Sequence, residues 1–243
     1  MPPSILILSA CSGDKAIDPI VDCSNIDRWS RDDLTAKYPD RTLPARELYV
    51  GDEHEYVTEA VDRFARIADV DWRIVSAGFG LVRPETALPA YECTFRDMDS
   101  VRRRLEGRGL DPDQLTNPEK IQHLGTALGI PDAIERALET HPDIAFVVLG
   151  EDYLHATGSA LESIPDDTTA FAFAPASTRD ATGDCQWVPS TETEREALGT
   201  IWTRLKGIQL KNVAAAVDSA EYLRDIEQSD TLREMSLPSP SRE

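Results

Sequence analysis

Lysine is scarce in this sequence, and so are aromatic residues. Of the 25 basic residues only five are lysine and twenty are arginine, whereas aspartate and glutamate together number 44. The formal net charge is −19, and aromatic residues make up 7% of the 243 positions. Because affinity for nucleic-acid phosphates comes from basic side chains, this charge taken alone disfavours a nucleic-acid partner.

The kinds of charged residue change that interpretation. An excess of acids, arginine in place of lysine and few large aromatics resemble the composition of proteins from salt-loving microbes. At molar salt the screening length falls to about 3 Å, so repulsion between an acidic surface and a phosphate chain largely disappears. A local arginine cluster can therefore still mark a nucleic-acid site.

Long apolar runs are also absent. No run approaches the roughly 18 residues that a membrane-spanning helix needs. The apolar stretch Ser4–Ala10 is too short for a signal peptide, and no basic segment precedes it. We expect a cytoplasmic protein without membrane contact, with one domain over residues 1–228. Residues 229–243 are rich in serine and proline in their second half, and we expect a disordered tail there.

The four cysteines are spread along the chain without a C-x-x-C pair. A structural zinc site is therefore not indicated, and we expect no metal and no cofactor. In a cytoplasmic protein such cysteines are expected to be free thiols. The sequence leaves the oligomeric state open.

Short apolar segments alternate with amphipathic helical ones, which is typical of an α/β protein. Strands are predicted at residues 4–10, 71–77, 144–149 and 169–174. This pattern predicts a three-layer α/β/α architecture with a short, mostly parallel central sheet. Because ligands bind beyond the carboxyl ends of such strands, the loops after residues 10, 77 and 149 are predicted to converge on one site.

The loop after the first strand carries Cys11, Ser12, Asp14, Lys15 and Asp18. A glycine-containing loop in this position can present backbone N–H groups to an anion. It lacks the G-x-x-x-x-G-K-[ST] pattern, so it is not a P-loop. A solvated turn with ordinary charges is the alternative interpretation.

Three later segments add further polar and aromatic candidates. Each could also be structural: a surface helix, a tight strand exit with its aromatic in the core, or simple helix capping. The candidate site residues in these segments are Arg46, Glu47 and Tyr49 on a predicted helix, Ser76, Phe79, Gly80 and Tyr91 after the second strand, and Tyr153 after the third.

Taken in order, these motifs resemble those of an uncharacterised family of bacteria, archaea and phages, itself similar to the YaaA-like peroxide-stress proteins. The matching segments are Cys11-Ser12, Lys15-Ala16-Ile17-Asp18, Ala45-Arg46-Glu47-Leu48-Tyr49, Ser76 to Pro84, and Asp152-Tyr153. The resemblance covers roughly residues 4–95 and 144–156. It implies a fold similar to that of uracil-DNA glycosylases and of a domain of archaeal tRNA deazaguanine-modifying enzymes, and a link to DNA. In such glycosylases an Asp-Pro pair positions water, and Asp18-Pro19 is the corresponding pair here.

The leading hypothesis is a glycosylase-like enzyme that hydrolyses an N-glycosidic bond in a nucleic acid. DNA is the expected substrate, and RNA is the alternative. A flipped base would stack on Phe79, and Asp18 or Glu47 would stabilise the charge on the sugar or orient water. Lys15 or Arg46 would hold a phosphate or the departing base.

In this hypothesis the hydroxyl groups of Tyr49, Tyr91 and Tyr153 shape the pocket. Two alternatives remain open: a non-catalytic DNA-binding stress or phage-defence protein, and an enzyme acting on free nucleosides or nucleotides. An arginine track such as Arg102-Arg103-Arg104 facing the pocket would favour the polymer, and a closed small pocket would favour the nucleoside.

Overall fold

The computed structural model describes residues 2–238 of the chain. Its strands are β1 Ser4–Ala10, β2 Val21–Asp22, β3 Thr42–Pro44, β4 Asp69–Ser76, β5 Gly80–Val82, β6 Ala87–Pro89, β7 Tyr91–Glu92, β8 Ile144–Val148, β9 Thr169–Ala174 and β10 Gln186–Pro189. Its helices are α1 Cys23–Arg28, α2 Arg31–Lys37, α3 Ala45–Leu48, α4 Asp52–Phe64, α5 Met98–Glu106, α6 Asn117–Ala127, α7 Ile130–Leu138, α8 Glu151–Ala156, α9 Glu192–Ala197, α10 Trp202–Ala216, α11 Ala220–Arg224 and α12 Ser229–Ser236. Short 3₁₀ segments cover Pro39–Arg41, Ala160–Glu162 and Ala176–Thr182.

Six strands form the central sheet in the order β10-β9-β8-β1-β4-β5. Strand β1 lies between β8 and β4 and is parallel to both, and β8, β9 and β10 continue the parallel part. Only β5, at one edge, runs antiparallel to its neighbour β4. The prediction that the strands near residues 4–10, 71–77 and 144–149 are adjacent and parallel is confirmed.

Alternate residues of β1 point into two separate cores, one on each face of the sheet. Ile5 and Ile7 belong to a cluster that includes residues of α4 and α10. Leu6 and Leu8 belong to a second cluster that includes residues of α5, α6 and α7. The sheet is therefore covered by helices on both faces, and the predicted three-layer α/β fold is confirmed.

Helix α4 shows how sequence spacing sets this packing. Its buried residues Val57, Ala60, Val61 and Phe64 recur at intervals of three and four along one face. The helix begins directly after Gly51, with acids in its first turn that suit the positive end of the helix dipole. The helix leads into the amino end of β4, so its own start lies at the opposite edge of the sheet, where the parallel strands have their carboxyl ends.

Residues 16–44 leave the sheet as a long connection that contains short regular elements. Strand β2 pairs in parallel with β7, and β3 pairs in antiparallel fashion with β6. Directly after β2 and β7, Cys23 and Cys93 form a disulfide with a Cα–Cα distance of 5.3 Å. The expectation of four free thiols is therefore wrong for this pair, which the strand pairing brings together, while Cys11 and Cys185 are free.

The expected disordered tail is also wrong for its first half. Helix α12 begins at Ser229 and packs on α10 and β10. The Arg233 guanidinium donates hydrogen bonds of 2.9 and 2.6 Å to the buried carboxylate of Glu194. The ion pair between Arg233 and the buried Glu194 helps to order α12. The composition of this segment does not reveal such a long-range contact. Residues 239–243 lie outside the described part of the chain.

None of the helices within residues 2–238 has both the length and the apolar character needed to cross a bilayer.

The disulfide predicts a redox-dependent stability. Because it closes a loop between residues 70 positions apart, reduction is expected to lower the free energy of unfolding by about 2–4 kcal/mol. Denaturant unfolding with and without a reductant measures this change. The matched control is the Cys23→Ser/Cys93→Ser double variant, on which the reductant has no effect. An unfolding midpoint that is the same for the oxidised and reduced wild type would contradict the prediction.

Candidate functional site

A pocket of about 460 Å³ opens at the carboxyl ends of the parallel strands. From β1 the chain proceeds to β4 on one side, whereas from β8 it proceeds to β9 and β10 on the other. The strand order therefore reverses between β1 and β8, and loops that leave these two strands diverge. Such a reversal is where open α/β sheets form their ligand crevice.

The lining of the pocket follows from these strand exits. The segment Ala10–Asp14 leaves β1, Gly150 and Glu151 follow β8, Pro175 follows β9, and Ser190 follows β10. The loop after β4 does not contribute to the lining, because β4 lies beyond β1 on the far side of the reversal. Two of the three loops predicted to converge therefore do so.

Cys11 and Tyr153 meet at the pocket wall. The Cys11 Sγ and the Tyr153 hydroxyl oxygen lie 3.2 Å apart in hydrogen-bond contact, and both residues line the pocket. Burial raises the pKa of the Tyr153 hydroxyl well above its usual value, and the nearby Cys11 adds to the shift. Tyr153 is therefore a neutral hydroxyl at neutral pH.

Lys15 does not line the pocket but holds the loop after β1 through hydrogen bonds to its backbone. Its ammonium group donates to the carbonyl oxygens of Ser12 at 2.6 Å and Gly13 at 3.1 Å. It also lies 4.9 Å from the ring centroid of Tyr91 and 5.4 Å from that of Tyr49. Burial lowers the pKa of Lys15, which nearby acidic groups partly offset. The lysine thus fixes the loop backbone that forms one pocket wall.

Tyr49, Ser76 and Tyr91 form a buried chain of hydroxyl groups beneath this loop. The Tyr91 hydroxyl lies 2.8 Å from that of Tyr49 and 2.6 Å from that of Ser76. Phe79 packs edge-on against Tyr91 at 5.0 Å between centroids. Burial raises the pKa values of both tyrosines. Tyr49, Ser76, Phe79 and Tyr91, which the motifs singled out, therefore do lie together. They support the loop after β1 and do not line the pocket.

The remaining predicted residues lie away from the pocket. The Arg46 guanidinium binds the Asp62 carboxylate at 2.7 and 2.8 Å. Asp18 and Glu47 are exposed and are not among the residues that line the pocket. Gly80, the first residue of β5, has φ +72°, a conformation that favours glycine. Of the predicted site residues, the structure places Cys11, Ser12, Asp14 and Tyr153 in the pocket wall.

Sequence reasoning missed the helix starts that complete the pocket. The first turn of α4 contributes His54 to the lining, and the first two turns of α10 contribute Trp202 and Lys206. Neither helix has a side-chain cap at its N-terminus, so the first backbone N–H groups lack a side-chain acceptor. Two features of the sequence could have indicated these helix starts: Gly51 directly before α4 and Trp202 as the first residue of α10.

Gly51 is required by the close approach of the first loop. A Cβ atom at this position would lie 2.2 Å from the Ser12 Oγ. A side chain here would therefore displace the Ser12 hydroxyl and crowd the Ser12 Cβ atom, which lies 3.1 Å away.

Four acidic residues line the pocket, and they fall into two classes. Asp52 pairs with Arg204 at 2.7 Å, and Glu53 pairs with Lys206 at 2.8 Å. The other two, Asp14 and Glu151, are exposed, and their carboxylates have no ion pair or hydrogen bond with any described residue. These two carboxylates are therefore available to a ligand.

Metal binding has no support in the described part of the chain. No group of three or more histidine, cysteine, aspartate or glutamate side chains within residues 2–238 is arranged to hold an ion.

His54 is buried between the rings of Tyr49 and Trp72, at centroid distances of 5.6 and 5.2 Å. Its Nε2 lies 3.0 Å from the Arg46 carbonyl oxygen, and its Nδ1 is buried without a partner. Since a carbonyl accepts, Nε2 carries the proton and donates. Burial lowers the pKa of His54 to about 4, so the imidazole is neutral at neutral pH.

Comparison with known proteins adds one finding. Residues 35–120 match DUF6884, a family of unknown function. The matched stretch includes the supporting residues Tyr49, Ser76 and Tyr91 and the start of α4, but not the loop after β1. No curated protein and no solved structure matches the chain.

The burial of His54 predicts a pH-dependent stability. The unfolded state binds a proton below pH ~6.5, whereas the folded state resists it until about pH 4. Stability is therefore fully present above pH 6.5 and falls as the pH drops, by about 2 kcal/mol between pH 7 and pH 5. Chemical unfolding at a series of pH values measures the slope.

Two variants separate His54 from other titrating groups. His54→Gln is expected to flatten the slope between pH 7 and pH 5. His123→Gln, at an exposed histidine, is expected to keep it. Equal slopes for wild type and His54→Gln would contradict the assignment.

Proposed function

We propose that the protein hydrolyses the N-glycosidic bond of a free nucleoside or nucleotide. The observation that carries this proposal is the pair of unpaired carboxylates, Asp14 and Glu151, in one pocket at the reversal of strand order. Unpaired acids beside a pocket wall of neutral polar groups suit a reaction that develops positive charge on a sugar. This assignment moves the catalytic carboxylates from Asp18 and Glu47 to residues that line the pocket.

The chemistry needs two things from the carboxylates. As the bond between the sugar and the base breaks, its electron pair leaves with the base, and positive charge develops on the ring oxygen and anomeric carbon. One carboxylate stabilises that charge, and the other accepts a proton from the attacking water, whose oxygen bonds to the anomeric carbon. That proton then passes to the departing base, which regenerates the carboxylate. The neutral Tyr153 hydroxyl can donate a hydrogen bond in the same pocket without adding charge.

A 5′-phosphate has a binding position at the helix starts. The first turns of α4 and α10 both border the pocket, and neither has a side-chain cap. Free backbone N–H groups and the positive end of the helix dipole favour an anion there. The ion pairs Asp52–Arg204 and Glu53–Lys206 offset the negative charge of the acids at these helix starts.

The arginine positions favour a small substrate over a polymer. Arg102 binds Glu106 and Asp113, and Arg104 is buried against Asp27. Neither they nor Arg103 lines the pocket, where the one arginine in the lining is Arg96, an exposed side chain 3.9 Å from the Asp152 carboxylate. An arginine track toward the pocket is what DNA binding would require, because phosphate affinity depends on free basic side chains.

The resemblance to uracil-DNA glycosylases stays part of this proposal, because those enzymes hydrolyse the same type of bond. The expected cytoplasmic location also stays part of this proposal, and the Cys23–Cys93 disulfide, a type of bond that is rare in the cytosol, is the observation against it.

The test is base release from three substrate sets: nucleosides, nucleoside monophosphates, and DNA that contains modified bases. We expect free base from one of the first two sets. Asp14→Asn and Glu151→Gln are each expected to slow single-turnover release by about 10²–10³-fold while binding changes little, because the charge acts mainly in the transition state. The matched controls Asp18→Asn and Glu47→Gln, at exposed acids outside the pocket, are expected to release base at the wild-type rate.

Each other outcome has a definite meaning. Abasic sites in DNA without release from small substrates would favour the DNA glycosylase. Binding of DNA with no base release from any set would favour the non-catalytic binding protein. Unchanged rates in both Asp14→Asn and Glu151→Gln would contradict the catalytic assignment.

A further inference from the structure

Trp202 is an exposed aromatic side chain at the mouth of the pocket. It is the first residue of α10, lines the pocket, and has 52% of its surface exposed. Covering this indole with a ligand would be favourable, because apolar surface gains free energy when it leaves water. Since the exposed ring borders the pocket, a ligand bound there can cover it.

The surroundings hold the indole in place. The Arg195 guanidinium lies over the Trp202 ring, with its carbon 5.8 Å from the centroid. Arg195 is itself fixed, because it donates to the Glu192 carboxylate at 2.7 Å and to the Thr200 carbonyl at 3.0 Å. A positioned cation over an aromatic ring is a stabilising arrangement. The ring is therefore supported by protein on one side while half of its surface remains open.

The other aromatic side chains offer less open ring surface to this pocket than Trp202 does. Phe79, the residue that the sequence favoured, packs edge-on against Tyr91 and does not line the pocket. Tyr91 is completely buried. Tyr153 lines the pocket, but its ring packs edge-on against Phe95 at 5.3 Å.

We propose that Trp202 is the subsite that binds the heteroaromatic base of the substrate by stacking, so that the pocket selects base-bearing compounds over sugar phosphates. This inference rests on the proposed function for its choice of ligand. The base covers the exposed indole, while the sugar lies toward Asp14 and Glu151 in the lining of the same pocket. Stacking on an aromatic plane tolerates any base, because every base has a π-face.

Calorimetric binding of AMP, GMP, CMP and UMP tests the subsite, with ribose 5-phosphate as the probe that lacks a base. Trp202→Ala is expected to weaken the binding of the four nucleotides by roughly tenfold to a hundredfold, the range of one base–aromatic stack. Trp202→Phe is expected to retain most of the affinity. Ribose 5-phosphate is expected to bind equally to wild type and to both variants.

Trp29→Ala is the matched control. Trp29 is 46% exposed and also has a cation, Lys37, over its ring at 5.4 Å, but it does not line the pocket. Its removal is expected to leave all affinities unchanged. Equal nucleotide affinity in Trp202→Ala and wild type would overturn the subsite, as would an equal loss of ribose 5-phosphate binding or failure of wild type to bind any of the four nucleotides.

The same variants distinguish this inference from the proposed function. Nucleotide binding that depends on Trp202 without base release would overturn the hydrolase and leave the subsite in place. Base release that is unaffected by Trp202→Ala would overturn the subsite and leave the hydrolase in place.

Discussion

The reversal of strand order between β1 and β8 is the constraint on which the rest of the site depends. Loops from adjacent parallel strands that continue in opposite directions must leave a crevice between them. Here that crevice receives the exits of β1, β8, β9 and β10 and the starts of α4 and α10. Every group in the proposed chemistry takes its position from one of these backbone segments.

A buried polar layer keeps the crevice in shape. Lys15 holds two carbonyl groups of the first loop, and the hydroxyl groups of Tyr49, Ser76 and Tyr91 satisfy one another beneath it. Buried polar groups are costly unless they are paired, so such a network favours a single arrangement of the loop above it. The disulfide between Cys23 and Cys93 ties the long connection to the segment that carries Tyr91. The rigidity of the pocket wall therefore comes from residues that no ligand touches.

The sequence predicted the sheet well, because apolar runs such as Ser4–Ala10 are buried on both faces of the sheet. It also picked out Lys15, Tyr49 and Tyr91, which do lie together, but exposure decides whether such residues bind a ligand or support a loop, and exposure depends on tertiary packing. Trp202 lies about 190 positions from Cys11, and no local pattern indicates that α10 packs on α4. The long-range contacts of the last third of the chain were therefore beyond the reach of sequence reasoning.

A crystal structure of the protein with a nucleoside 5′-monophosphate tests the central claim most directly, namely that this pocket holds a nucleoside unit. The account predicts the phosphate at the starts of α4 and α10, the sugar within hydrogen-bond reach of Asp14 and Glu151, and the base on Trp202. A nucleotide bound elsewhere on the molecule, with both carboxylates left in solvent, would contradict it.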